Sequence, residues 1–224
     1  MTQSTTLTGT DGKPVPGYLS EPPAGNAKGA VMLIHEWWGL NEHIRDVADR
    51  LAREGFTVFA ADLFGGKVAK DETTAQQYMS TMDWKQAGEL LRRAAEALRE
   101  QKPGTRVGVM GFCMGGAVSL FAAAKDPEIA ACVPFYGIPG EDRVDVTQIR
   151  APVLGHYAKQ DDWCAPDRVD ALEKKLKDAH IPVTIQRYDA QHAFFNDTRP
   201  RVHSKAHAEL AWKRTVEFLR SKLG

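Results

Sequence analysis

The segment from Gly108 to Gly116 reads GVMGFCMGG and places a cysteine inside a glycine-flanked turn. In the G-x-S-x-G pattern, a nucleophile occupies a sharp, strained turn between a strand and a helix. Cys113 stands at the serine position, with an apolar run before it and an alanine-rich apolar run after it. Because a helix N-terminus favours the nucleophilic thiolate, the segment predicts covalent catalysis by Cys113. The Met114 N–H would then be one donor to the oxyanion.

An acid and a histidine follow in the chain order nucleophile, acid, histidine that α/β-hydrolases use. Asp161 and Asp162 follow one strand-like run, and His192 follows another. Open α/β sheets place their sites just beyond the carboxyl ends of strands. The spacing favours Asp161 as the residue that orients His192, with Asp162 capping the helix near Pro166, but the reverse assignment stays open. In the alternative interpretation, Cys113 is a small buried hydrophobe and His192 a surface-loop residue.

Four segments carry a resemblance to a known family: HEWWGLN at 35–41, AADLF at 60–64, GFCMGG at 111–116 and HAF at 192–194. Together they resemble the dienelactone hydrolases, or carboxymethylenebutenolidases, over nearly the whole chain. A glutamate after an early strand combined with a cysteine in the turn is specific to that family. The resemblance implies an α/β-hydrolase fold, a mostly parallel sheet with helices on both faces, and cleavage of a lactone or activated ester.

The resemblance also implies roles for Glu36 and Trp37. In the family, a glutamate at this position lies against the nucleophile and controls its ionisation when substrate enters. The next residue, here Trp37, supplies the second oxyanion N–H. The residues agree in part, because Glu36 follows an apolar run, and a carboxylate at that depth needs a partner or a raised pKa. The alternative is a structural glutamate paired with an arginine such as Arg45.

The chain departs from the dienelactone-specific pattern, in which arginines hold the substrate carboxylate. One of those arginines lies a few residues after the catalytic histidine. Here the fourth residue after His192 is Asn196, and the nearest arginines are Arg199 and Arg201. No arginine stands between residues 65 and 84, where the other would be expected. Arg199 is therefore the candidate for binding a substrate carboxylate, and a broad carboxylesterase or thioesterase is the alternative function.

Tyr136 and Trp38 are further candidate substrate contacts. Tyr136 ends a predicted strand on the side of the site, where its hydroxyl could bond a substrate oxygen or be satisfied within the fold. Trp38, with its neighbour Trp37, suits an apolar pocket, although packing explains the pair equally well. A different class of function also fits one feature, since a reactive Cys113 could serve as a reversible redox sensor.

Composition excludes several classes of protein. The 224 residues, 43% hydrophobic, suit one α/β domain spanning 1–224. Lys plus Arg and Asp plus Glu number 29 each, so net charge predicts neither nucleic acid nor a membrane as partner. Three widely spaced cysteines without a C-x-x-C pair favour a reducing cytoplasm. We expect a cytoplasmic enzyme, monomer or small homo-oligomer, that acts on a small molecule without a metal or other cofactor.

Alternating strand-like and helix-like segments predict a parallel sheet covered on both faces. An edge hairpin is predicted over 5–20 with a turn at 11–13, and residues 63–82 are predicted to be irregular or partly helical. The strands are predicted at 30–35, 56–60, 106–110, 130–135, 151–157 and 182–188, and the helices at 42–54, 83–101, 114–125, 166–179 and 203–222.

Overall fold

A central β-sheet organises the computed structural model, which describes residues 7–23, 27–101 and 103–224. The strands are β1 (Leu7–Thr8), β2 (Pro14–Val15), β3 (Gly17–Ser20), β4 (Ala30–Ile34), β5 (Thr57–Ala61), β6 (Val107–Phe112), β7 (Ile129–Phe135), β8 (Val153–Gln160) and β9 (Val183–Gln191). The helices are α1 (Glu42–Arg53), α2 (Glu72–Ser80), α3 (Trp84–Gln101), α4 (Met114–Lys125), α5 (Pro166–Asp178) and α6 (Lys205–Leu223), with a 3-10 turn at Val146–Gln148.

The main sheet has seven strands in the order β3-β5-β4-β6-β7-β8-β9. The edge strand β3 is antiparallel to β5, and the other six strands are parallel. From β4 the chain first goes to β5 on one side and then to β6 on the other. The topological switch point therefore lies between β4 and β6, where open α/β sheets leave a crevice for ligands.

Helices cover both faces of the sheet, as the sequence predicts. Helices α1 and α6 bury Val47 and Leu219 on one face, while α3, α4 and α5 bury residues such as Leu91 and Val118 on the other. The central strands are buried on both faces, which explains why β4 is a continuous apolar run rather than an alternating one. This two-sided burial fixes the carboxyl ends of the strands that carry the candidate site.

Predicted and observed elements agree closely for α4 and differ most at the last strands. Helix α4 spans residues 114–125, as predicted. Strands β8 and β9 run on to Gln160 and Gln191, which pair with each other. This extra pairing places Asp161 and His192 immediately after their strands, so that both emerge at the same edge of the sheet.

The N-terminal hairpin is smaller than predicted. Residues 5 and 6 of the predicted range lie outside the described residues. The turn is confirmed, with Gly12 at a φ of 74°, and it joins β1 to β2 in a separate two-stranded sheet. Strand β3 leaves this hairpin and forms the edge of the main sheet instead. Within the predicted irregular segment 63–82, α2 is the helical part.

Candidate active site

Cys113 lies between β6 and α4 in a strained backbone conformation, with φ 54° and ψ −116°. Residues other than glycine rarely adopt a positive φ, and such strain persists only where neighbouring structure enforces it. Here the Cys113 N–H donates to the Phe135 carbonyl at 3.0 Å. Its carbonyl accepts the N–H groups of Gly116 at 2.9 Å and Ala117 at 3.2 Å. The turn predicted for a nucleophile is therefore present at Cys113.

Two glycines allow this turn to pack against the end of β4. A Cβ on Gly115 would lie 2.3 Å from the Ile34 carbonyl oxygen, and one on Gly111 would lie 2.1 Å from the Gly115 carbonyl oxygen. Both distances are shorter than any real Cβ contact, so larger residues would push α4 away from the sheet. The close approach brings the residues that follow β4, including Glu36, alongside Cys113.

Two backbone N–H groups, those of Met114 and Trp37, are the predicted donors to an oxyanion. The Met114 N–H lowers the pKa of the Cys113 thiol and so favours its ionised form. The Trp37 N–H has no acceptor among the residues that the structure describes. That these two N–H groups bind an oxygen that develops negative charge stays a prediction.

Asp161 is the acid that contacts His192. Its Oδ2 lies 2.8 Å from Nδ1 of His192, and its Oδ1 accepts the N–H groups of Trp163 and Cys164, each at 2.9 Å. Burial opposes ionisation of Asp161, but the hydrogen bond and charge of His192 and the two N–H groups hold its pKa below the usual value. The carboxylate therefore holds the imidazole ring of His192 through Nδ1 and leaves Nε2 free for another hydrogen bond or for proton transfer.

Asp162 is exposed and makes no side-chain hydrogen bond within the described chain. Helix α5 has Ala165 as its N-cap and no side-chain cap, so the prediction that the second aspartate caps this helix is wrong. The physical reason lies in the turn after β8. Asp161 takes the free N–H groups of that turn, which directs its neighbour to solvent.

Glu36 is buried, with 2% of its surface exposed, and its partners are neutral. The Asn196 amide donates to Oε2 at 2.6 Å, and the Tyr136 hydroxyl donates to Oε1 at 3.4 Å. Arg45, the alternative partner, instead stacks over the Tyr18 ring at 5.1 Å. The alternative of an arginine-paired Glu36 is therefore wrong for the residues that the structure describes.

The surroundings of Cys113 disfavour its thiolate. Part of the residue faces the cavities of the site, yet loss of hydration around its sulfur raises the pKa of the thiol. The negative charge of Glu36 raises the pKa further, and the Met114 N–H opposes both effects. At neutral pH the resting thiol is accordingly protonated.

Two cavities meet at Cys113 and His192. The charged cavity, about 210 Å³, also contains Glu36, Trp38, Glu72 and Arg199 in its lining. The apolar cavity, about 180 Å³, is lined largely by hydrophobic side chains, among them Met82, Met114, Ala117 and Ile138. Trp163, 55% exposed, lies on the boundary of both. A molecule whose reacting atom sits at Cys113 therefore has space on two sides.

Arg199 reaches the charged cavity from the loop that follows β9. Its guanidinium lies over the Trp38 ring at 5.4 Å, and Nη2 is 3.4 Å from Oε1 of Glu72. Only a third of its side chain is exposed. The structure thus brings Arg199 and Trp38 together beside Cys113, whereas Tyr136 uses its hydroxyl on Glu36.

A larger cavity of about 450 Å³ lies away from this site, between α3 and α4. Trp84 and Phe121 form its aromatic wall. Neither Cys113 nor His192 lines it, so its size does not identify the site of chemistry.

Comparison with known proteins agrees with this geometry. The sequence model of the Dienelactone hydrolase family matches residues 15–223. The chain belongs to this family. It is 34% identical over 223 residues to Protein usf of Aquifex pyrophilus, covering 95% of this chain and 96% of that one. It is 32% identical over 224 residues to a provisionally named carboxymethylenebutenolidase of Aquifex aeolicus (strain VF5), with the same coverage.

A solved structure shows the same fold for a dienelactone hydrolase family member. The crystal structure of a provisionally named dienelactone hydrolase from Klebsiella pneumoniae superposes with a TM-score of 0.83 at 28% identity, covering 97% of each chain. The present protein is accordingly a carboxylic ester hydrolase with the α/β-hydrolase fold, of the dienelactone hydrolase family. Within its described residues, no helix is long and apolar enough to cross a membrane.

Sequence reasoning missed two residues of this dienelactone hydrolase family site. In the sequence, Asn196 is notable only because it occupies a position where an arginine is expected. No nearby residue indicates that its amide binds Glu36. Trp163 lies 5.9 Å from Trp37 and 6.4 Å from His192, measured between ring centroids. Its one sequence signal is its position two residues after Asp161.

The raised pKa of Cys113 predicts how the reactivity of this thiol depends on pH. Alkylation of Cys113 by iodoacetamide should be slow at pH 7 and should rise only in the alkaline range, because thiolate is the reactive form. Glu36→Gln removes a nearby negative charge and should move the midpoint of this profile to lower pH. Mass spectrometry of the Cys113 peptide measures the rate, with buried Cys164 as an internal reference. An unchanged midpoint in Glu36→Gln would contradict the charge effect.

Proposed function

We propose that the protein hydrolyses a lactone or activated carboxylic ester through a triad of Cys113, His192 and Asp161. The observation that carries this proposal is the 2.8 Å contact between Asp161 and His192 beside a cavity that His192 shares with Cys113. A buried carboxylate that fixes one imidazole nitrogen leaves the other free for proton transfer. The strained turn at Cys113 supports the same assignment.

In the first half of the proposed reaction, the Cys113 thiol gives its proton to His192, and the resulting thiolate attacks the carbonyl carbon and forms a carbon–sulfur bond. The N–H groups of Met114 and Trp37 stabilise the oxyanion that results. Collapse of this intermediate breaks the ester carbon–oxygen bond, and His192 protonates the departing alkoxide. In the second half, His192 takes a proton from water, which attacks the thioester. The carbon–sulfur bond then breaks and the acid leaves, and the proton on His192 returns to the Cys113 sulfur.

Glu36 sets the ionisation state of Cys113 in this proposal. While its negative charge lies beside the sulfur, the thiol keeps its proton and the resting enzyme is protected from stray electrophiles. Substrate that enters the charged cavity approaches Glu36 directly, because this residue lines the same space. The Cys113 thiolate then forms next to the carbonyl group of the bound substrate.

Leaving-group chemistry supports lactones and activated esters over amides. A thiolate leaves more readily than an amine, so a tetrahedral adduct of Cys113 with an amide tends to revert. An enolate or phenolate leaves readily, and the adduct goes forward. The site therefore suits an oxygen leaving group of low basicity.

A broad carboxylesterase is the second candidate. The observation that favours it is Asn196, which is neutral, together with Arg199, whose guanidinium already lies beside Glu72. A redox-sensor role fits less well, because sensor cysteines have low pKa values and burial and Glu36 raise that of Cys113. As before, we expect a single-domain cytoplasmic enzyme, monomer or small homo-oligomer, and the proposed steps need no metal or other cofactor.

Hydrolysis of a dienelactone beside a neutral aryl acetate tests the proposal. Wild type should turn over at least one of them, and Cys113→Ala should lose the activity while keeping its circular dichroism spectrum. Fast turnover of the lactone would identify the specific enzyme, whereas turnover of the aryl ester alone would identify the broad esterase. Activity that survives in Cys113→Ala, or is absent in wild type, would refute the triad.

The choice of acid has its own test. Asp161→Asn should lower kcat by about 10³–10⁴-fold, because an amide fixes the wrong imidazole tautomer, whereas Asp162→Asn should change kcat little. The two isosteric variants are matched, since they are neighbours and differ in contact with His192. Steady-state kinetics on the better of the two substrates gives the comparison. Equal losses, or a larger loss in Asp162→Asn, would overturn the assignment of Asp161.

The proposed role of Arg199 predicts selectivity for charge. Arg199→Ala should lower kcat/KM for the anionic dienelactone by about 10-fold or more, since a charge-assisted hydrogen bond is lost, and leave the neutral aryl acetate unaffected. Arg201→Ala, an exposed arginine of the same loop, is the control. A similar loss for both substrates would mean that Arg199 supports the loop rather than the substrate carboxylate.

A further inference from the structure

We propose that Asn196 is a positioning residue, which holds the Glu36 carboxylate beside Cys113 as a negative charge without a counter-ion. The inference rests on the proposed role of Cys113 as nucleophile and extends it to how the resting site is kept inactive. It concerns the contact between Asn196, in the loop after β9, and Glu36, two residues after the end of β4.

The contact is short and buried. Nδ2 of Asn196 lies 2.6 Å from Oε2 of Glu36, and the two residues are 1% and 2% exposed. A hydrogen bond to a carboxylate is stronger than one between neutral groups, and exclusion of water strengthens it further. The amide therefore fixes one oxygen of Glu36, while the Tyr136 hydroxyl lies 3.4 Å from the other.

The orientation of the Asn196 amide is itself fixed. Its Oδ1 accepts the Thr198 N–H at 3.0 Å and the Thr198 hydroxyl at 2.6 Å. Since the carbonyl side of the amide is occupied by two donors, the NH₂ side must face Glu36. Its backbone N–H also donates to the Ala193 carbonyl at 3.0 Å, so the residue is tied to the loop that carries His192.

The groups around Cys113 leave the charge of Glu36 uncompensated. Those facing it are Glu36 after β4, Tyr136 after β7, Asp161 and Cys164 after β8, His192 and Arg199 after β9, and Glu72 and Arg168 at the cavity walls. Asp161 has His192 as its partner, and Arg199 lies beside Glu72. Within the described chain, Glu36 is in no ion pair, and of the charges acting on Cys113 its own is the strongest.

Because the group that holds Glu36 is the neutral amide of Asn196, the contact has a consequence for which substrates the site accepts. Moving Glu36 away from a lysine or arginine would leave a buried cation unpaired, a cost that an anionic substrate could offset but a neutral one could not. Moving it away from Asn196 leaves only a neutral amide behind. Neutral esters should therefore release the thiol as readily as anionic ones.

The test is the pH profile of Cys113 alkylation by iodoacetamide in a double-mutant cycle. Asn196→Ala frees Glu36 to turn toward Arg199 and water in the charged cavity. The midpoint for Cys113 should then fall by about one pH unit, which corresponds to about tenfold faster alkylation at pH 7. In a Glu36→Gln background, the same Asn196→Ala change should have no further effect, because no charge is left to position.

Two further variants separate positioning from general damage. Thr198→Val loosens the amide without removing it and should give a smaller shift in the same direction, again absent in Glu36→Gln. Asp197→Asn changes the next residue, whose side chain contacts His43 instead of Glu36, and should leave the profile unchanged. The proposal would be overturned if the midpoint of Cys113 alkylation were unchanged or higher in both Asn196→Ala and Thr198→Val. It would also be overturned if these variants shifted the midpoint equally in the Glu36→Gln background.

Failure of this proposal differs from failure of the proposed function. Alkylation measures the state of Cys113 without any turnover, so it gives a result whether or not esters are hydrolysed. If Asn196→Ala did not shift the alkylation midpoint while Cys113-dependent hydrolysis was normal, only the positioning role of Asn196 would be refuted. Absence of Cys113-dependent hydrolysis with an intact Asn196 effect would refute the triad alone.

Discussion

The close approach of α4 to the end of β4 is the constraint on which the site depends. Gly115 lies so near the Ile34 carbonyl that no side chain fits between them. The same turn holds Cys113 at a positive φ, and Glu36, two residues after β4, lines a cavity together with Cys113. One steric condition therefore places Cys113 beside the residues to which we assign the oxyanion donors and the controlling carboxylate.

Opposite electrostatic environments shift the pKa values of two groups of the site, Asp161 and Cys113, in opposite directions. Asp161 is buried but receives three hydrogen bonds, one from His192, and its pKa falls below the usual value. Cys113 is surrounded by apolar groups and faces the charge of Glu36, and its pKa rises. The site thus combines an ionised Asp161 in contact with His192 and a thiol whose pKa is raised, and in the proposed reaction the thiol ionises only after a change at Glu36.

The charged and apolar cavities indicate how a substrate could bring about that change. Arg199 and Glu36 face the same cavity, so a substrate group placed there alters the surroundings of both. The neutral contact of Glu36 with Asn196 differs from an ion pair because its rupture leaves no unpaired buried cation. If the proposed role of Asn196 holds, substrate selectivity depends on which groups Arg199 and the apolar cavity accept, and not on the charge needed to free Glu36.

The sequence by itself determined the family, the alternation of strands and helices, and the positions of Cys113 and His192. These follow from local signals, namely glycine spacing, apolar runs and chain order, which survive without knowledge of contacts. Only the tertiary structure decided that Asp161 rather than Asp162 contacts His192, because the extra pairing of β8 with β9 sets which side chain points inward. It alone also placed Asn196 on Glu36, since a contact between residues 160 positions apart depends on how loops from separate strands pack.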